Sequence, residues 1–295
     1  MDEILQSLEG VVVRPALASD KAAVLQFCQQ TWPDIEDYIA SVWDKWMADV
    51  SGQILVALLN ERPVAMARVV RLSDIEGWWE GLRVDPQYRG RGLVSVLEHA
   101  VKQYFREVGV EVIRSCVAKW NTIMHGIMQR RGYQQIGCYL LHRADAVQAP
   151  VGQIGKLTGD DAEAVWSFLN SQDGSGRERL FVSRGAKWQT LTTFQLRERL
   201  SAGLFWGYRQ GESLQSLLIQ SYMESADTSL WVGYIDGTLE GLPVLLQEMR
   251  CLAHQQGYPS VSGFFPKTDL MLGRLTIAGY HPSPQEEFLV YEAAC

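Results

Sequence analysis

The run from Leu82 to Val94 holds the residues whose types and spacing can do chemistry: Leu82-Arg83-Val84-Asp85-Pro86-Gln87-Tyr88-Arg89-Gly90-Arg91-Gly92-Leu93-Val94. An apolar stretch enters a turn at Asp85-Pro86. Two glycines flanked by two arginines follow, and then a segment with helical periodicity from about Gly92 to Gly109. The first amides of a helix have no partners inside it, and the helix dipole places positive potential there. Gly90 and Gly92 let an anion come close to the backbone. Arg89 and Arg91 add charge, and Arg83 adds more from the strand. Charge-assisted bonds of about 1.5–3 kcal/mol each would hold a diphosphate. The same run also describes an exposed helix start with solvated arginines. It is not a dinucleotide fingerprint, because Ser95 stands where the third glycine of G-x-G-x-x-G belongs.

The surroundings choose between these readings. Val84-Asp85-Pro86, then Gln87, Gly90 and Gly92 opening a helix, resembles the signature of the Gcn5-related N-acetyltransferases (GNAT family): V-x-P, then Arg/Gln-x-x-Gly-x-Gly/Ala. A second signature follows, with Asn121 starting a short helix that ends in Arg130-Arg131-Gly132-Tyr133. The resemblance covers roughly residues 11–145. It implies acetyl-CoA as co-substrate and transfer of its acetyl group to a primary amine of a small molecule or peptide, by direct attack in a ternary complex. It implies that Leu82, Arg83 and Val84 offer backbone groups to the pantetheine arm. It also implies that the amides of Gly90, Arg91, Gly92, Leu93 and Val94 hold the diphosphate and that Asn121 touches the pantetheine. The family has a tyrosine seven residues after that asparagine, donating a proton to the departing thiolate. Met128 stands there instead. A CoA-binding module without catalysis is the alternative reading this departure leaves open; transfer of another acyl group is a third reading, resting on the tandem architecture alone.

Glu80 is the candidate general base. It lies between Trp78-Trp79 and Gly81, and a glycine inside a strand marks a bulge that re-aims side chains. Aromatic neighbours disfavour a charged carboxylate and bring it toward the working range of a base. The other reading is a surface glutamate. His125 and His142 are alternative bases, Tyr139 is a substitute acid, and Trp78 and Trp79 either line an acceptor pocket or pack the core.

These groups need a frame. Apolar strands are expected at 11–15, 53–60, 64–72, 78–84, 111–117 and 134–143. Helices are expected from Asp20 to about Gln30, from Asp34 to about Asp49, from 92 to 109 and from Asn121 to Gly132. The second half repeats this order, with Gly132 and Gly279 at matching positions. The expected fold class is α/β, two tandem acyl-CoA N-acyltransferase (GNAT-like) domains, each a mixed, mostly antiparallel sheet flanked by helices. Residues 1–149 carry the acetyl-CoA site and residues 150–295 a degenerate copy. At the equivalent place the second copy offers Leu239 for the first glycine, Glu240 for an arginine, and Pro243, a set that repels a diphosphate.

The bulk properties exclude other classes. The 295 residues are 47% hydrophobic and 21% charged, an ordinary globular balance. A net charge of -7 gives no basic footprint for nucleic acid and no attraction to an acidic membrane surface. No apolar run reaches the roughly 18 residues of a membrane span. The five cysteines are scattered without a CxxC pair, so neither a disulfide framework nor a zinc site is expected, and a reducing cytoplasm is the natural compartment.

Overall fold

The computed structural model describes residues 10–32, 36–172, 179–222 and 228–295. The expected helix start at Asp34 lies outside them. The chain divides into two compact units, Met1–Ser115 with Glu292–Cys295, and Cys116–Tyr291.

The first unit runs β1 (Val11–Pro15), α1 (Lys21–Cys28), α2 (Ile39–Ala48), β2 (Gly52–Leu59), β3 (Arg62–Arg71), β4 (Glu76–Val84), α3 (Leu93–Glu107) and β5 (Val112–Ala118), the last three residues of which count with the second unit. The strands lie in the order β1-β2-β3-β4-β5. Neighbours are antiparallel except β4 and β5, which run parallel from Glu76↔Val112 to Trp78↔Arg114. Asn60 and Glu61 join β2 to β3 with positive φ at both residues, the backbone of a tight two-residue hairpin turn.

Helices cover both faces of this sheet. Val24, Phe27, Ile39, Trp43 and Trp46 of α1 and α2 pack on Ile54, Val56 and Met66. On α3 the apolar residues Leu93, Leu97, Val101 and Phe105 recur every fourth position and are buried. Phe105 lies so close to the sheet that a side chain at Gly77 would meet its ring at 2.5 Å. With both faces covered, β3 is buried from Pro63 to Val70 instead of alternating, with Arg68 the charged residue in that run.

The second unit runs α4 (Thr122–Arg130), β6 (Gln134–Asp145), β7 (Ile154–Leu157), α5 (Ala162–Gln172), β8 (Leu180–Arg184), β9 (Lys187–Thr190), α6 (Thr193–Ser201), β10 (Phe205–Gln210), β11 (Ser213–Ser221), β12 (Leu230–Gly237), α7 (Gly241–Gln255), β13 (Ser260–Pro266), α8 (Asp269–Ile277) and β14 (His281–Ala294). Its strands follow the order β14-β6-β13-β12-β11-β10-β7, with β8 and β9 forming a separate hairpin. From β7 onward the sequence of elements matches that from β1 to β6, except for this inserted hairpin, which the sequence reading did not contain.

The compact units divide at Ser115, and the domain boundary expected near Ala149-Pro150 lies within the second of them. The physical reason is β6. The last strand of the first half pairs antiparallel with β13, from Ser260↔Asp145 to Pro266↔Tyr139, and so belongs to the sheet of the second unit. In turn the last four residues of the chain belong to the first unit. There Glu292 takes a hydrogen bond from Nε of Arg114 at 2.7 Å, and the Cys295 amide donates to Glu111 O at 2.9 Å.

Arg114 also pairs with Glu76, and both side chains are almost completely buried, whereas Glu292 is about one-third exposed. Removing Glu76 takes from the buried Arg114 its buried counter-charge and leaves it matched by the more exposed Glu292. Glu76→Ala is therefore expected to cost about 3–5 kcal/mol. Glu292→Ala, screened by solvent, should cost about 1 kcal/mol or less. Urea unfolding of the two variants checks the ranking; equal losses would refute it.

Candidate functional site

At the end of β4 the chain makes a short 3₁₀ turn, Pro86–Tyr88. Asp85 builds it: its side chain accepts from the Gln87 amide at 3.0 Å and its carbonyl from the Tyr88 amide at 2.8 Å. Gly90 and Gly92 then take φ of 75° and 80°, and Gly92 caps α3 without a side chain to offer. Among the described residues, no protein acceptor takes the main-chain N–H of Gly90, Arg91, Gly92, Leu93 or Val94. A side chain at Gly90 would meet nothing within 4 Å, so the space before these amides is open. Arg91 is exposed and lies over the Tyr88 ring at 5.2 Å, and Arg89 reaches back to the Thr31 carbonyl at 3.1 Å. Gln87 is exposed at the same turn. Free amides, open space and two flanking guanidinium groups fit a diphosphate.

Upstream, β4 carries a bulge. Met66 faces Arg83 and Arg68 faces Glu80, so two steps on β3 span three on β4. Gly81 sits in the bulge with φ of 66°, and a side chain there would meet Trp46 at 2.9 Å. The bulge matches the sequence expectation; the surroundings of Glu80 do not. Glu80 accepts a 2.6 Å hydrogen bond from Nη1 of Arg68, whose side chain is 1% exposed while that of Glu80 is 18% exposed. Its partner is thus a buried guanidinium, not aromatic rings alone. Trp78 and Trp79 are buried and belong to the core, not to a pocket wall.

Arg83 also departs from expectation. Its Nε donates to Asp37 at 2.6 Å, and its guanidinium lies over Tyr38 at 5.2 Å and Trp32 at 5.7 Å. Its charge is therefore matched by Asp37 and is not turned to an anion at the glycine turn. What Leu82, Arg83 and Val84 can still offer is main chain.

Asn121 lies in the second unit, where its side-chain oxygen caps α4 by accepting from the Met124 amide at 3.2 Å. Only its side-chain NH₂ could therefore donate to a ligand. Met128 is buried in the same helix. Tyr139 stacks near Trp188, with ring centroids 5.0 Å apart. His125 lies 2.9 Å from the Tyr291 hydroxyl and 3.2 Å from the Lys119 carbonyl, and the carbonyl makes Nε2 the donor. His142 is buried next to the Leu140 carbonyl, and burial lowers its pKa. Both histidines are held as structural groups.

The counterpart of the glycine turn in the second unit differs in mechanism from the sequence reading. Gly241 is the first residue of α7, not its cap. Counted from the helix start, Thr238 takes the place of Gly90 and Glu240 that of Gly92. The Thr238 hydroxyl accepts from the Gly241 amide at 3.0 Å and its carbonyl from the Leu242 amide at 3.1 Å, so the protein itself uses amides at this helix start. A bulge recurs at Gly233, where Ile219 faces Tyr234 and Gln220 faces Val232. Val232 stands where β4 has Glu80, and the Val182 carbonyl of the inserted hairpin lies 2.6 Å from the position a side chain at Gly233 would take.

Residues 21–133 match the model of a family described as Acetyltransferase (GNAT) family. Aminoglycoside N(6')-acetyltransferase type 1 of Stenotrophomonas maltophilia is 26% identical over 132 residues, 42% of this chain and 86% of that protein. The GCN5-related N-acetyltransferase of Sphaerobacter thermophilus superposes with a TM-score of 0.63 at 16% identity, covering 97% of this chain and 96% of that one. The GCN5-related glucosamine N-acetyltransferase region of a fungal multi-domain β-N-acetylglucosaminidase gives 0.62 at 11% identity, over 96% of this chain and 38% of that one. At such identities the two structures establish likeness of fold.

The two glycines of the first unit should respond differently to substitution. Gly90→Ala meets open space and should lose only the left-handed backbone term, about 1–2 kcal/mol. Gly81→Ala adds a collision with Trp46 and should lose more. Chemical denaturation of both variants checks this, and a smaller loss at Gly81 would contradict the bulge geometry.

Proposed function

We propose that this chain, a GNAT-type acetyltransferase whose residues 21–133 match that family, moves an acetyl group from acetyl-CoA to a primary amine of a small molecule or peptide. The observation that carries the reading is the row of amides from Gly90 to Val94 opening α3, without an acceptor among the described residues, at the end of the strand whose bulge displays Glu80.

Acetyl-CoA, when bound, supplies an acetyl group activated as a thioester. The amides of Gly90 to Val94, with Arg89 and Arg91, hold its diphosphate, and the main chain of Leu82 to Val84 meets the pantetheine arm. Glu80 takes one proton from the amine as its nitrogen forms the new C–N bond and the C–S bond breaks. The sulfur leaves as a thiolate. An ordinary thiol has a pKa of about 8.5, so this is tolerable near neutrality without a donor at Met128.

The second half is proposed to be a degenerate copy that keeps the fold without the cofactor. The recurring element order, the equal lengths of α3 and α7, and the bulges at Gly81 and Gly233 support common descent of the halves. Thr238, which uses the helix-start amides, Glu240 and Val232 support the loss of both the anion cradle and the base.

Acceptor identity is approached through the relatives. One is named for aminoglycosides and one structure for glucosamine, so kanamycin, glucosamine, spermidine, histidine and a free peptide N-terminus form the first panel. Amine-dependent thiol release with an acetylated product by mass spectrometry is expected from at least one. Tight acetyl-CoA binding without release from any amine would favour a binding module. With an accepted amine, Glu80→Gln should lower kcat by about 10²–10⁴, while Met128→Ala should change kcat little. Full activity of Glu80→Gln would remove the base assignment. Calorimetric titration with acetyl-CoA should give one site per chain, abolished by Gly90→Leu; two sites would overturn the degenerate-copy reading.

A further inference from the structure

We propose that Arg68 is a positioning residue that orients Glu80 and that Asp49 keeps this arginine compatible with proton uptake; the proposal rests on the reading of Glu80 as base. Arg68 and Glu80 are direct cross-strand partners at the bulge. The two terminal nitrogens of Arg68 are divided between two carboxylates: Nη1 donates to Glu80 Oε1 at 2.6 Å, and Nη2 donates to Asp49 Oδ2. The guanidinium lies over the Trp46 ring at 4.7 Å. Asp49 is itself fixed, since its Oδ1 accepts from the Ser51 amide at 2.9 Å and the Ser51 hydroxyl at 2.7 Å. The plane of the guanidinium is thus held from three sides, and Glu80 Oε1 is held with it. The fork geometry needs arginine; a lysine ammonium cannot serve both carboxylates in one plane.

The arrangement is not explained by packing. Arg68 Nε is buried, and among the described residues it has no acceptor. An apolar side chain over Trp46 would avoid that penalty and the desolvation of the charge. Charge balance gives the arrangement a use. Two carboxylates and one guanidinium carry a formal charge of -1. When Glu80 accepts the amine proton, Asp49 and Arg68 remain as a neutral pair, so no uncompensated buried cation opposes the transfer.

The test compares kcat of Arg68→Lys, Asp49→Asn, Glu80→Gln and the double variants, using the fastest amine of the panel above. Arg68→Lys is expected to lower kcat by about 10–100-fold, as misplacement of a catalytic group does, with the acetyl-CoA KM within about twofold. Asp49→Asn should lower kcat by a smaller factor. Because both act through Glu80, neither should slow Glu80→Gln further. A purely structural role predicts multiplied losses in the doubles, and that result would overturn the proposal. So would wild-type kcat in Arg68→Lys beside a slow Glu80→Gln. If Glu80→Gln itself keeps full activity, the base reading falls first and this inference with it. Thermal melting guards against misfolding; should Arg68→Lys fail to fold, Asp49→Asn, at a less buried position, carries the same comparison.

Discussion

The geometry of the first unit depends on one backbone constraint, the left-handed residue inside β4. Gly81 inserts an extra residue against β3, and a strand cannot do this without a local change of twist and a break in its ladder. The break comes directly after Glu80, leaving that carboxylate opposite Arg68, and directly before Leu82 to Val84, the backbone expected to face a ligand. No other residue fits, because the φ disfavours a side chain and Trp46 fills the space one would need. Trp46 therefore serves twice: it closes the core under the bulge and lies under the guanidinium that meets Glu80.

How far the sequence disclosed this varies with the range of the interaction. The turn, the two glycines and the start of α3 were legible because Asp85, Pro86, Gly90 and Gly92 act on their own backbone. The bulge was legible for the same reason. Arg68 was not, because its importance lies in a pairing across two strands and a contact with a helix before them. A register for β3 against β4 would have found it, since the two residues face each other. Arg83 misled for a similar reason: near the glycine turn in sequence, it is matched in space by Asp37, 46 residues earlier. Most helices and strands followed from apolar periodicity, whereas the β8–β9 hairpin, only four to five residues per strand, carried too little pattern to be seen.

The second unit shows what a helix start looks like when its amides are used within the protein. In α3 a glycine caps the helix and, among the described residues, the neighbouring N–H groups have no acceptor; in α7 Thr238 occupies such groups, and a side chain at Gly241 would press on the Gln215 carbonyl at 2.6 Å. Elements of like length and order thus carry two different electrostatic ends, and the difference comes from a few residues, not from the architecture.

Finally, the ownership of the last four residues has a consequence for biosynthesis. Arg114 has one acidic partner, Glu76, made before it, and another, Glu292, made 178 residues after it. At a translation rate of roughly 5–20 residues per second, that interval is on the order of 10–35 s. The emerging first unit must wait that long for its closing segment, with one edge incomplete. Until residues 292–295 have emerged, the partly made first unit is the form most exposed to chaperones and proteases.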